Sequence, residues 1–330
     1  MPATALVVEN VIRKLITRNE DYRTEVIALL DTRFLNYVVE FFTRVFQAKL
    51  KNEKITPDWY KKELLDVSLP PEELAIHSGL NKKTLRHVYR KGTSEIIIDA
   101  SLKHYDTIRK VIEELTEQEE VDITLTIKFN RGSVELNISE SLIVINTLAV
   151  KRAALRGGVW STAGKQAEKP LMITLCKLFR VPPKYYDQTN RPKSRRETDF
   201  YLKDGDMNFQ SCEVKLMGKG NPESLKSALV RIREAKDEGK NFIFVADTLS
   251  DENREDLEIS GALWVELNTE NGYRKFASVL QALKIPHKPL TGNLSKAVDR
   301  ILAELSDAEV ERMATEAAKK VEASSSEPAE

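Results

Sequence analysis

Two acidic residues and a lysine near the middle of the chain have the types and spacing of a phosphate-cleaving site. Asp199 opens one alternating segment, and Glu213 and Lys215 stand two residues apart in the next. Because residues i and i+2 of a strand point to the same face, Glu213 and Lys215 share one face. Two carboxylates with a lysine suit a hard divalent cation and a phosphate, so the stretch predicts a nuclease site.

The separation of Asp199 and Glu213 depends on the tip of the predicted hairpin. A two-residue turn at 204–205 would pair Asp199 with Gln210 and leave Glu213 roughly 10 Å away along the strand. A five-residue tip at 204–208 would place Asp199 directly opposite Glu213, with Cβ atoms roughly 5 Å apart. The site therefore requires a wide or bulged tip.

Each residue of the predicted site has a role that follows from its chemistry. Mg²⁺ prefers oxygen ligands, which Asp199, Glu213 and the backbone carbonyl of Val214 could supply while the ion polarises the phosphate. Lys215 would orient the attacking water or help to deprotonate it, and would offset charge in the transition state. Glu168, on the preceding helix, is the best further acid, either outside the first shell of ligands or as a ligand to a second metal.

A solvated, salt-bridged hairpin is the competing interpretation of the same residues. Charged pairs are common on exposed strands, and Glu-x-Lys recurs elsewhere in the chain, as at Glu234 to Lys236. That pair falls in the middle of a predicted helix, with no acidic strand before it. The combination of an acid, a hairpin and Glu-x-Lys between two helices favours the nuclease site.

Residues 71–90 have the spacing of a helix-turn-helix, with Gly79 at the turn. Its second helix would present side chains that bond phosphates and base edges, namely Asn81, Lys82, Lys83, Arg86, His87 and Arg90. An ordinary helical hairpin with a basic face remains the alternative. A second basic group, next to the predicted nuclease strands, is expected to hold phosphates: Arg191, Lys193, Arg195, Arg196 and Lys219.

Composition sets broad limits on the class of protein. Lys+Arg and Asp+Glu both total 51, so the neutral net charge argues weakly against an overall basic coat but conceals local basic segments. The two cysteines have no partners at metal-finger spacing, which indicates a reducing compartment without a disulfide framework. With no signal-peptide pattern and no apolar run of membrane-spanning length, we expect a cytoplasmic protein.

The elements predict an α/β fold in two domains. Residues 1–156 read as an α-rich recognition and dimerisation domain with the helix-turn-helix and a β-hairpin over 121–138. Residues 157–322 read as the catalytic domain, with strands alternating with helices in a central mixed sheet flanked by helices. It should begin with a helix at 161–179, interrupted or kinked at Pro170, and end with a helix over about 294–321. Residues 323–330 are expected to be disordered.

The central residues resemble the PD-(D/E)xK nuclease site, although Thr198 stands where the motif has proline. With the context of Gly158–Pro170 and Glu213–Glu223, residues 157–265 resemble type II restriction endonucleases, and most closely the CfrBI-type group. The resemblance implies a PD-(D/E)xK nuclease core, Mg²⁺-dependent cleavage of double-stranded DNA at a short palindrome, a homodimer, and a cognate DNA methyltransferase. It also implies a contribution of Glu168 to the metal site.

Two other functions are compatible with the same patterns. A repair nuclease or Holliday junction resolvase could use the same core, and a junction resolvase would favour branched DNA over linear duplex. A regulator could use the helix-turn-helix with an inactive nuclease fold, and it would bind DNA without cutting it.

Overall fold

A computed structural model describes most of the chain. The described residues are 2–17, 21–64, scattered positions between 103 and 114, 124–129, 132–186, 198–216 and 222–305. The predicted helix-turn-helix, the basic residues at 191–196, Lys219 and the C-terminal tail lie outside them, so those predictions stay predictions. No helix among the described residues is long and apolar enough to cross a membrane.

Helices dominate the first half of the described chain. Helix α1 spans Pro2–Thr17, α2 spans Arg23–Leu50 and α3 spans Pro57–Leu64. Strands β1 (Leu125–Phe129) and β2 (Gly132–Leu136) then pair antiparallel, which confirms the predicted hairpin.

One long helix, α4, joins the two halves of the chain. It runs over Ile138–Leu178, 41 residues, so the helix predicted at 161–179 is the last part of a longer helix that crosses the predicted domain boundary at residue 157. The predicted interruption at Pro170 is wrong, because α4 continues through it, and the alternative of a kink there stays a prediction. A proline removes one backbone donor, and the helix carries on beyond that position. Downstream, the Thr174 hydroxyl donates to the Pro170 carbonyl oxygen at 2.8 Å.

The chain groups into two compact units, and α2 and α4 each extend through both. One unit contains Met1–Ile27 and Trp160–Glu330, and the other contains Ala28–Val159. The first 27 residues therefore group with the C-terminal part of the chain in this division. The assignment of recognition and catalysis to separate domains is a functional prediction that this grouping does not address.

The described part of the unit that contains Trp160–Glu330 has a four-stranded mixed sheet, and a mixed sheet was predicted for this region. Its strands are β3 (Phe200–Lys203), β4 (Phe209–Lys215), β5 (Phe242–Ala246) and β6 (Leu263–Glu266), adjacent in that order. Strands β3 and β4 are antiparallel, whereas β4, β5 and β6 are parallel. Every residue of β5 is buried, which is the pattern of a strand covered on both faces.

Helices connect the parallel strands and follow the sheet. Helix α5 (Pro222–Asp237) links β4 to β5, and α6 (Asp251–Ser260) links β5 to β6. The Ser250 hydroxyl caps α6 by accepting from the Asn253 N–H, and Gly261 ends the helix with a φ of 71°. Helices α7 (Lys275–Ala282) and α8 (Leu294–Glu304) complete the described chain. Of the predicted last helix, only the part up to Glu304 lies among the described helical residues.

The start of α4 is held by a buried carboxylate in the second unit. Glu140 is 3% exposed. It accepts hydrogen bonds from the Ile55 N–H at 2.9 Å, the Asn137 N–H at 3.1 Å and the Lys49 ammonium at 2.9 Å. Asn137 in turn accepts from the Glu140 N–H at 3.0 Å, which forms a reciprocal cap at the helix N-terminus.

Replacing Glu140 with alanine is expected to destabilise the fold by about 3 kcal/mol, since buried donors would lose their acceptor. Burial opposes the charge of Glu140, but its three donors outweigh burial and lower its pKa. Because the pKa of Glu140 is lower in the folded state than in the unfolded state, its ionised form stabilises the fold at pH values above the unfolded-state pKa. That stabilisation is lost as the pH falls through the folded-state pKa. Urea unfolding from pH 7 to pH 3 should therefore show a steeper acid loss for wild type than for Glu140→Gln. Equal slopes would contradict this account.

Candidate active site

The β3–β4 hairpin has the wide tip that the site requires. Strand β3 ends at Lys203 and β4 begins at Phe209, which leaves a five-residue tip at 204–208. Phe200 lies opposite Cys212 in the ladder, so one step further Asp199 faces Glu213. The prediction of a wide tip is confirmed, and the two-residue turn that would have separated the acids is excluded.

Hydrogen bonds within the tip explain its width. One oxygen of the Asp204 carboxylate accepts from the Asp206 and Asn208 N–H groups, both at 2.9 Å. Asp204 and Asn208 also close the loop through their backbones at 3.0 Å, and Met207 has a φ of 65°. An aspartate that caps its own turn is a common local alternative to a tight hairpin. The hydrogen bonds of Asp204 therefore hold the wide tip that places Asp199 opposite Glu213.

Asp199 is a buried carboxylate with a specific partner on each oxygen. Its Oδ2 accepts from the Val214 N–H at 3.0 Å, and its Oδ1 accepts from the Lys165 ammonium at 3.1 Å. Burial opposes the ionised form, but the charges of Lys165 and Lys215 and the Val214 N–H outweigh it and lower the pKa of Asp199. The Asp199 carboxylate is therefore ionised at neutral pH and can offer its oxygens as ligands to a metal ion.

Glu168 lies beside Asp199 and shares its cation. The Lys165 ammonium, one turn earlier on α4, is 3.3 Å from Glu168 Oε2. Burial, followed by the nearby charge of Asp199, raises the pKa of Glu168 to about 8. The same two carboxylates outweigh the effect of burial on Lys165 and raise its pKa. At neutral pH the raised pKa leaves Glu168 largely protonated, so the full negative charge beside the Lys165 ammonium is that of Asp199.

Glu213 is almost fully buried, with an exposed fraction of 3%, and two cations hold it. Lys215 Nζ is 2.9 Å from Oε1, so the two residues that share a strand face also form an ion pair. Arg231 on α5 donates to Oε2 at 2.9 Å through one nitrogen and to the Thr198 hydroxyl at 3.0 Å through another. Arg231 thereby connects the residue before Asp199 to Glu213.

Lys165 and Arg231 are site residues that the sequence patterns did not single out. Each lies on a helix three residues from a buried residue of that helix. Lys165 precedes Glu168 by three positions, and Arg231 follows Ala228 by three. That helical spacing is the only sequence signal that could have indicated them. The two cysteines, Cys176 and Cys212, are free and buried in the core.

The acidic residues fit a hard divalent cation by their donor chemistry. Asp199, immediately before β3, and Glu213 on β4 offer carboxylate oxygens from facing positions of the hairpin. Among the residues that the structure describes, no group of three or more His, Cys, Asp or Glu side chains is arranged to hold a metal. Mg²⁺ does not require such a cage, since it is commonly held by one or two carboxylates with waters and substrate phosphates.

The fold is a mixed α/β architecture compatible with a nuclease core, and comparison with known proteins identifies the family. Residues 5–254 match the family model described as CfrBI restriction endonuclease. The chain therefore belongs to the CfrBI restriction endonuclease family, as its resemblance indicated. No curated protein and no solved structure matches the chain.

Proposed function

We propose that this protein is a type II restriction endonuclease that uses Mg²⁺ to cleave double-stranded DNA at a short palindromic site. Membership of the CfrBI restriction endonuclease family supports DNA cleavage in general. The observation that carries the assignment to particular residues is the hairpin register, which sets Asp199 opposite Glu213 beside Lys215. We assign these three residues and Glu168 to a PD-(D/E)xK type of site.

Asp199, Glu213 and the Val214 carbonyl are the proposed Mg²⁺ ligands. When bound, the ion supplies positive charge next to the scissile phosphate. Lys215 has a partly exposed side chain, 27%, and its ammonium is already fixed at the Glu213 carboxylate. It would orient the water that attacks phosphorus and offset the charge that develops as the bond to the leaving oxygen breaks. Glu168 would either support the site without contacting the ion directly or bind a second metal ion.

DNA recognition is assigned to the basic residues of the predicted helix-turn-helix and of the segments around the site. Arg86 and its neighbours on the second predicted helix would read bases or phosphates, and the 191–196 cluster with Lys219 would hold the backbone. A homodimer would match a palindrome by its two-fold symmetry. A methyltransferase of the same specificity would protect the host DNA in the cytoplasm, where we place the enzyme.

Incubation of the purified protein with plasmid DNA and Mg²⁺, followed by sequencing of the fragment ends, tests the proposal. Discrete fragments with one shared end sequence are expected, and chelation of the metal should stop their formation. Matched linear and four-way-junction substrates separate the nuclease classes, since preference for the junction would indicate a resolvase. Binding without cleavage under all metal conditions would indicate a regulator and would overturn the proposal.

A further inference from the structure

Among the described residues, three cations contact the acidic site, and they differ in how firmly they are held. Arg231 makes two hydrogen bonds, lies over the Phe242 ring at 5.4 Å and has an exposed side-chain fraction of 18%. Lys215 lies on the same strand as its ion-pair partner Glu213, and the exposed fraction of its side chain is 27%. Lys165 is the most exposed of the three, at 37%, and approaches from a different element, helix α4.

Lys165 also differs in what it contacts. Its single ammonium bridges two carboxylates, at 3.1 Å from Asp199 Oδ1 and 3.3 Å from Glu168 Oε2. The other Asp199 oxygen accepts a backbone N–H from Val214, a partner that cannot leave without breaking the hairpin edge. A second cation that binds Asp199 through Oδ1 therefore meets the Lys165 ammonium there, and the two positive charges repel each other.

We infer that Lys165 is a built-in counter-ion that competes with the divalent cation for Asp199 and so sets the metal affinity of the site. This inference rests on the proposed function. Arg231 is too firmly held to exchange, and Lys215 pairs with Glu213 rather than Asp199. An ammonium on a long, partly exposed side chain can leave the carboxylates without any movement of the backbone. Lys165 therefore stabilises the clustered acids and keeps the affinity for metal moderate.

Direct measurement of metal binding tests the inference without relying on activity. Mn²⁺ prefers the same oxygen ligands as Mg²⁺, and its free concentration can be measured by electron paramagnetic resonance without DNA. Lys165→Met and Lys165→Gln are each expected to bind Mn²⁺ about tenfold more tightly than wild type, a difference of about 1.4 kcal/mol. Gln keeps a hydrogen-bond donor without the charge, so it serves if the methionine variant does not fold.

Lys177→Met is the matched control, because Lys177 is on the same helix and pairs with Glu304 at 3.6 Å, away from the acids. It should bind Mn²⁺ as wild type does, and Lys165→Arg should remain close to wild type because the charge is kept. An affinity that is unchanged or weaker in both neutral variants would overturn the inference. If wild type still cleaves plasmid in that case, the proposed function stands, whereas absence of cleavage in wild type would refute the function itself.

Discussion

Lys215→Ala should abolish DNA cleavage while leaving DNA binding largely intact. The Lys215 ammonium lies 2.9 Å from Glu213 and is the cation on the shared strand face of the proposed site. Loss of one group that stabilises transition-state charge typically costs about 10²–10³ in rate, and loss of water orientation adds to that. Single-turnover cleavage of a plasmid would measure the rate, and a gel-shift titration would measure binding.

The chain supplies its own control for this experiment. Lys236 belongs to the Glu-x-Lys that begins at Glu234, and it is exposed on α5. Lys236→Ala removes the same charge from the same short pattern, and it should cleave at the wild-type rate. A Lys215→Ala variant that also cleaves at that rate would show that the catalytic lysine is misassigned.

Arg231→Ala should lower the free energy of unfolding by about 3 kcal/mol, because it leaves the buried Glu213 charge without one of its partners. The Thr198 hydroxyl would lose its donor in the same step. Both carboxylates of the proposed metal site should then be less well ordered, so cleavage should fall along with stability. Urea unfolding at pH 7 and plasmid cleavage measure the two effects.

Three further variants separate charge from geometry at Arg231. Arg233→Ala, at an exposed position of the same helix, should change stability by about 0.5 kcal/mol or less. Arg231→Lys keeps the charge but lacks the planar fork that reaches Glu213 and Thr198 together, so it should recover little. Arg231→Met combined with Glu213→Gln should recover much of the stability, since the buried charge is gone. If Arg231→Ala is as stable as wild type, the ion pair does not organise the site.

Local sequence patterns were sufficient for the hairpin and for the acids on it. Strand alternation placed Glu213 and Lys215 on one face, and register arithmetic required the tip that Asp204 forms. The partners Lys165 and Arg231 could not be derived in the same way. Long side chains on helices have many rotamers, and which carboxylate they reach depends on how each helix packs against the sheet. The continuity of α4 could not be derived either, because glycine and proline oppose a helix by their intrinsic propensities, and only the packing of the folded chain can offset that cost.

The anchoring of the hairpin tip has a consequence for how much of the chain the site needs. The Gly205 N–H donates to the Leu283 carbonyl at 2.8 Å, and a Cβ at Gly205 would lie 2.9 Å from the Lys284 side chain. The matched family segment ends at residue 254, before β6 and before this anchor. A fragment ending there would carry every proposed catalytic side chain. It would lack strand β6, which pairs with β5, and the Leu283 carbonyl that accepts from Gly205 in the tip. We therefore expect the hairpin tip, and with it the register of Asp199 and Glu213, to need the chain up to at least Leu283.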